Sequence, residues 1–470
     1  MTILLATGSL AYPVVKRASE GFDVKIAVSG KIAAFITPAA LKKLISDNPC
    51  EMALVSGMCT ADFSSVEKET GVLVFMGPRH AADLGTVLSA IGRIKLSKTI
   101  PADELLIMAG EAQARTRLEN LEKEAGYDFL IKGVKFGKNS RMKVLAEIMD
   151  AHKTENLNEK VLYFFESGAD IVDLGFGFDA SPDDVKKTFE SIKDIEGIFA
   201  ADTQEISLIK AAIPYADIIL SLHEDNMPAV AKDIANAKIA AVVVPREKSL
   251  DENLKDAISA GIQKVIADPL LQPVGSGLIS SLKDFKERDC PVFFGAGNVT
   301  ELIDADSPGI NALLAGMAAE IKASVIFTSE HSDKTKGSVF EMRRACDMMA
   351  LMADRPYPKD LGLSLFYIKE KRRRITPPLE YESAAEAEKM PDDIEYDPRG
   401  NLRIGTEGEY IVAVHNKTAY KGKHWEDVFH TLLRENKISL MDHAAYLGKE
   451  LYKAELSIKY KRSFDQDGPF

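Results

Sequence analysis

Three aspartates sit where a carboxylate is costly: Asp173 in Asp170-Ile-Val-Asp173-Leu-Gly175, Asp202 in Ala201-Asp202-Thr203, and Asp268 in Ala267-Asp268-Pro269. Each ends, or directly follows, a short apolar run that reads as a buried strand. A buried carboxylate without hydrogen bonds is strongly disfavoured, so a site keeping three of them calls for donors or for a ligand rich in N–H groups. A guanidine-like or aminopyrimidine edge fits that description. The local alternative is that each aspartate caps the following helix or accepts amides from its own loop, because strand-to-helix loops favour Asp at the N-cap. Asn298, in Gly295-Ala-Gly-Asn298-Val-Thr300, also has two readings. It is either a ligand contact or a turn residue that tolerates left-handed backbone beside glycine.

The elements that must position these residues are eight apolar runs, at 144–149, 170–174, 197–201, 217–222, 239–244, 264–267, 291–294 and 323–327, each followed by a helix-like stretch. Near-continuous hydrophobicity marks strands buried on both faces, and the strand–helix alternation predicts an α/β fold with a central (β/α)8 TIM barrel at 140–353. In that architecture chemistry sits on the loops after the strand C-termini. Those loops carry Asp150, Asp173, Asp202, His223, Arg246, Asp268, Asn298 and Glu330, which predicts one pocket ringed by polar groups.

The flanks are distinct. Residues 1–135 alternate strand-like runs (3–6, 24–28, 52–55, 72–76) with helix-like stretches (38–45, 80–90), as in an N-terminal open, Rossmann-like α/β domain. Its turns, Thr7-Gly8-Ser9, Ser29-Gly30, Ser56-Gly57 and Gly77-Pro78, let a ligand or another backbone approach, but no GxGxxG or P-loop spacing is present. Residues 104–124 read as a solvated connecting helix. The prolines of Arg355-Pro-Tyr-Pro358 and Thr376-Pro-Pro378, with the basic run Lys369-Glu-Lys-Arg-Arg-Arg374, mark a linker over 354–396. Residues 397–470 read as a small α+β C-terminal domain with strands at 402–404 and 410–414, a helix near 425–435 and one long helix over 439–460. On that last helix Asp442, Tyr446, Lys449 and Lys453 share a side, and His443 lies beside Ala444-Ala445; a helix-packing face is the expected role.

Composition narrows the function classes. A formal charge of −12 argues against nucleic acid, and no apolar run approaches a membrane span. Cys50, Cys59, Cys290 and Cys346 form no CxxC pair, so no protein-borne metal site is expected. The first residues lack a signal-peptide pattern, which predicts a cytoplasmic location.

Residues 140–350 resemble the pterin-binding barrel superfamily, which includes dihydropteroate synthases and tetrahydrofolate-dependent methyltransferases. Ser167-Gly-Ala-Asp-Ile-Val-Asp173-Leu-Gly175 is similar to the family's GAxIIDxGG, Ala201-Asp202-Thr203 to its [IL]DT, and Ala267-Asp268-Pro269 to its DPG, with Gly295-Ala-Gly-Asn298 on the seventh strand. The whole chain resembles archaeal dihydropteroate synthase-related proteins. The resemblance implies that Asp173, Asp202 and Asp268 grip the amino-pyrimidinone edge of a reduced pterin, which is substrate or ligand. Asn298 is similar to the Asn that contacts the pterin in the methyltransferases.

Several synthase motifs are replaced. The NVTPDSF loop after the first strand reads Asp150-Ala-His-Lys153. The IND motif reads Ile219-Leu-Ser221, the GxSRK loop Gly295-Ala-Gly-Asn-Val299, and the RxHD motif Phe327-Thr-Ser-Glu-His331. The cations that assist a leaving diphosphate must then come from elsewhere, with Lys153, Arg246 and Lys334 next to strand ends. Three functions stay open. A synthase would condense a dihydropterin-methyl diphosphate with an arylamine in tetrahydromethanopterin- or folate-type biosynthesis, using Mg2+ with the diphosphate. A methyltransferase would work on a methylated reduced pterin. A non-catalytic pterin-binding protein would act through its terminal domains, which could also dock a protein partner or build an oligomer. No catalytic residue is assigned.

Overall fold

A computed structural model describes the chain except Met1, Glu287 and residues 353–356, 360, 372–378, 380 and 390–394. Much of the proline-rich and basic part of the expected linker, including Arg355-Pro356 and 372–378, therefore lies outside the described residues. Two units separate by their internal contacts, Met1–Leu379 and Glu380–Phe470.

The first unit begins with a parallel sheet of β1 (Ile3–Thr7), β2 (Val24–Val28), β3 (Met52–Val55) and β4 (Leu73–Met76), in the order β2-β1-β3-β4. Helices Tyr12–Ala18, Pro38–Asp47, Ser64–Thr70 and Leu84–Ala90 connect and cover it, giving the open α/β domain expected. The helix Ala102–Glu124 departs from its expected solvation. Ala114 and Leu118 are buried against Leu351 and Leu361, so one side of it packs on the last barrel helix, Ser338–Met352.

A hairpin not anticipated from the sequence follows, β5 (Phe129–Ile131) and β6 (Val134–Phe136). Its two-residue turn, Lys132-Gly133, holds positive φ at both positions, the turn type whose twist suits two adjacent strands. Ile131 and Phe136 are buried with Leu145, Ile171, Ile198 and Ile218, near the starts of the barrel strands. The hairpin thus plugs the end of the barrel opposite the strand C-termini.

The barrel strands are β7 (Lys143–Ile148), β8 (Ile171–Gly175), β9 (Ile198–Asp202), β10 (Ile218–Leu222), β11 (Ala240–Val243), β12 (Val265–Ala267), β13 (Phe293–Phe294) and β14 (Val325–Ser329). All are parallel in the order β12-β11-β10-β9-β8-β7-β14-β13, and the Ala267–Val292 bridge closes β12 onto β13. Each of the eight apolar runs supplies one strand. Along a strand the side chains alternate. Ala146, Ile148, Val172 and Leu174 face the helices, while Leu145, Ile171, Ala200, Ile266 and Phe327 fill the interior.

The second unit holds an antiparallel meander, β15 (Leu402–Glu407), β16 (Tyr410–His415) and β17 (Thr418–Gly422), with helices Trp425–Arg434 and Met441–Lys459. The long helix buries Leu447, Leu451 and Ala454 against Ile404, Ile411, Val428 and Leu432. Ala445 is exposed, so the packing face is offset from the one expected. His443 is held by Asp397, which also accepts the amides of Ser439 and Leu440 at the helix start. Among the described residues, no helix is long and apolar enough to cross a membrane.

Candidate functional site

The two-residue period of the strands builds the site. Stepping two residues from the apolar interior positions toward the C-terminal ends converts Leu145 to Glu147, Ile171 to Asp173, Ala200 to Asp202 and Ile266 to Asp268. The interior is therefore apolar below and acidic at the mouth. Glu147 and Asp173 are partners in the β7–β8 register, and Gly175 brings Asp202 alongside from β9. Carboxylate oxygens of Glu147, Asp173 and Asp202 lie within 4.8 Å of one another. On β10 the register shifts between Ile219 and Leu222, and Ser221 takes a left-handed φ of 65°. That irregularity turns the Ser221 hydroxyl toward the acids, where it donates to Asp202 Oδ1 at 3.1 Å.

The electrostatics follow from burial, with no cation in an ion pair with Glu147, Asp173 or Asp202 among the described residues. Asp173 is fully buried, and neither of its oxygens has a hydrogen-bond partner. Burial, then the charges of Asp202 and Glu147, raise its proton affinity well above the usual carboxylate range. Burial also raises Asp202, against the pull of the Ser221 hydroxyl. Glu147 is pushed up to about 7 by burial and by Asp202, Glu301 and Asp150. Asp268 rises to about 7 through burial, with the Leu270 amide at 2.8 Å opposing and Asp202 reinforcing. With Glu147 and Asp268 both raised to about 7, the cluster offers O–H donors beside carboxylate acceptors near neutral pH. A planar heterocycle with both N–H and ring-nitrogen edges needs that mixture. Three converging carboxylates could also hold a hard divalent cation.

The local alternative of capping or own-loop amides holds only for Asp268, and only through one oxygen. Asp202 is bonded from a neighbouring strand, and Asp173 is bonded by nothing among the described residues. Asn298 is exposed in the short helix Ala296–Glu301 that follows β13, at the rim rather than among the buried acids.

The loop cations are engaged in their own surroundings. Lys153 contacts Asp179 at 2.5 Å and Asp150 at 3.9 Å. Arg246 pairs with Asp225 at 2.8 Å and faces His223 Nε2 at 3.5 Å. Lys334 reaches the Ile303 carbonyl and Asp304. Glu330, expected on the pocket rim, accepts from the Tyr163 hydroxyl and the Val339 amide. The expected ring of polar groups is therefore an acidic centre with a largely self-paired periphery.

Two features were missed in the sequence. Glu147 was absorbed into the run 144–149, although a charge two residues after Leu145 in a buried strand must share the inward face. The second is a group of metal-capable side chains, Asp150, His152 and Asp179, where no metal site was expected. The His152 ring is stacked on Phe176 with both nitrogens buried and unbonded.

Comparison with known proteins adds the following. The family model PterinBD-DUF4346 matches residues 396–467. An uncharacterized protein of Methanocaldococcus jannaschii is 35% identical over 516 residues, an alignment covering 99% of this chain and 98% of the relative. Among solved structures, the dihydropteroate synthase of Thermus thermophilus is 18% identical with a TM-score of 0.37, covering 44% of this chain and 92% of that one. The Yersinia pestis dihydropteroate synthase is 17% identical with a TM-score of 0.38, covering 48% and 97%.

Proposed function

The chain belongs to the dihydropteroate synthase-like pterin-binding family, and from that premise we propose that its barrel holds a reduced pterin by the amino-pyrimidinone edge and joins it to an arylamine. Asp173, Asp202 and Asp268, with Glu147 beside them, bind that edge. The observation that carries the reading is Asp173: a fully buried carboxyl, both oxygens unbonded, pressed against two further acids. Such a group gains hydrogen bonds when N–H donors arrive.

The pterin is a dihydropterin-methyl diphosphate. The arylamine nitrogen attacks the exocyclic methylene carbon, the C–N bond forms as the C–O bond breaks, and diphosphate leaves with the bonding electrons. The proton lost by the nitrogen passes to solvent. Asp150 and Asp179 offer oxygen ligands for a magnesium ion travelling with the diphosphate, and Lys153 lies between them. Magnesium there would neutralise charge on the leaving group. The barrel's own residues orient the ring so that the methylene points at the open mouth, where Asn298 stands. The product class is a folate- or tetrahydromethanopterin-type precursor.

One observation favours a second reading, methyl transfer from a methylated reduced pterin. Lys153, Arg246 and Lys334 are each already paired with an acid of the surrounding loops, which leaves less free positive charge for diphosphate. Incubating the full chain with 6-hydroxymethyl-7,8-dihydropterin diphosphate and 4-aminobenzoate, with and without Mg2+, tests the condensation. Arylamine-dependent diphosphate release supports it. Demethylation of 5-methyltetrahydropterin without diphosphate chemistry would replace it with the second reading, and binding without turnover of either would leave a binding protein.

A further inference from the structure

The N-terminal domain carries a site that the barrel chemistry does not use. Its strand order, β2-β1-β3-β4, reverses direction between β1 and β3, and in an open parallel sheet the crevice beyond the carboxyl ends at such a reversal is the place where ligands bind. A cavity of about 360 Å³ occupies that place. Leu5, Leu54 and Val15 wall it, with Thr7 at the end of β1 and Ser56 just after β3 on the lining. Its size is within the roughly 300–1,000 Å³ of small-molecule pockets.

The turn glycines show that the cavity is preformed. A Cβ on Gly8 would stand 2.4 Å from the Lys31 carbonyl oxygen, on Gly57 2.6 Å from that of Gly77, and on Gly77 2.7 Å from that of Val55. Of the two partners the sequence left open for these turns, ligand or backbone, these three take backbone. The loops after β1, β3 and β4 are locked to their neighbours, so the walls stand without a ligand.

Charge sets the ligand class. The chain has 71 acidic residues against 59 Lys and Arg, yet no carboxylate among the described residues lines this cavity. Lys31, Arg79 and His80 do. Arg79 is partly neutralised by Asp103 at 2.9 Å, whereas Lys31 has no acidic partner among the described residues. We propose that this cavity binds a compact, largely apolar small molecule bearing one anionic group, its body between β1 and β3 and its charge at Lys31. The site is independent of the barrel reading.

The full chain is titrated with 8-anilinonaphthalene-1-sulfonate and with uncharged N-phenyl-1-naphthylamine, following fluorescence. The expected result is one saturable sulfonate site, weakened at least tenfold by Lys31→Glu and by Ala33→Trp, which fills the cavity, and unchanged by Asp173→Asn in the barrel. Lys31 is exposed, so its reversal tests the site even where Ala33→Trp fails to fold. No saturable binding, equal affinity in both cavity variants, or equal binding of the uncharged probe overturns the proposal. So does self-association of the chain through this face without probe binding.

Discussion

Glu147 and Asp173 occupy paired positions on adjacent parallel strands, with their carboxylates in one cluster and no cation bonded to either among the described residues. Like charges in register repel, and burial prevents water from screening them. The arrangement persists because protons, or a ligand, take the place of counter-ions.

Asp173→Asn keeps the shape of the side chain and removes the ability to accept from N–H donors through two oxygens. No hydrogen bond of the folded protein is broken by it. The stability in chemical denaturation is expected to stay within about 1 kcal/mol of the parent. Affinity for a reduced pterin, read by calorimetry, is expected to fall roughly ten- to hundred-fold, the size of a lost hydrogen bond to a charged group. A variant that binds as tightly as the parent removes Asp173 from the site.

The raised acids also make stability depend on pH, with a definite sign. A carboxyl whose folded pKa exceeds its unfolded value binds its proton more tightly when folded, so the unfolding free energy falls as pH rises through the gap. For Glu147 the gap runs from 4.5 to about 7, and for Asp268 from 3.8 to about 7. Glu147 alone corresponds to about 3 kcal/mol lost across that window. His223 acts oppositely, because burial and Arg246 lower its pKa, so its contribution grows up to about pH 6.5. Unfolding at pH 5, 6, 7 and 8 should therefore show a decline that Glu147→Gln reduces. An identical slope in that variant would show that Glu147 does not hold a proton in this window.

The fold was legible because eight buried strands leave eight apolar runs; Asp202 and Asp268 were legible because each ends or directly follows such a run, whereas Asp173 stands in the middle of β8 and was legible through the likeness of its segment to GAxIIDxGG. Glu147 was not, since a single charge inside a run looks like a tolerated exception until strand direction is known. The hairpin of Lys132-Gly133 was hidden by its brevity, with three residues per strand. Ser221 was read only as part of the replaced IND motif. Its function emerges from a left-handed backbone that no residue pattern announces.

That backbone gives a separable prediction. Ser221→Ala and Ser221→Gly both delete the hydroxyl that bonds Asp202, and both should raise the proton affinity of Asp202 and weaken pterin binding several-fold. Only alanine keeps a Cβ at φ 65°. Left-handed backbone costs a non-glycine residue about 1 kcal/mol, so the glycine variant should be the more stable of the two by about that amount. Equal stabilities in thermal or chemical unfolding would mean that the β10 irregularity is relaxed in solution.

The periphery decides between the two reactions. Under the condensation reading, Lys153 leaves Asp179 for the diphosphate when substrate binds, because an oxyanion carrying several charges outcompetes one exposed carboxylate. Lys153→Met then removes charge that develops in the transition state. Its kcat/KM for the diphosphate ester should fall on the order of 10²- to 10³-fold, while reduced-pterin affinity stays close to the parent value. Under methyl transfer no charge is released at that loop, and Lys153→Met should leave demethylation of the methylated pterin unaffected. Steady-state assays of the one variant with both substrates therefore distinguish the readings. A variant that retains full diphosphate release would show that Lys153 is a surface ion pair and that the leaving group is met by other residues.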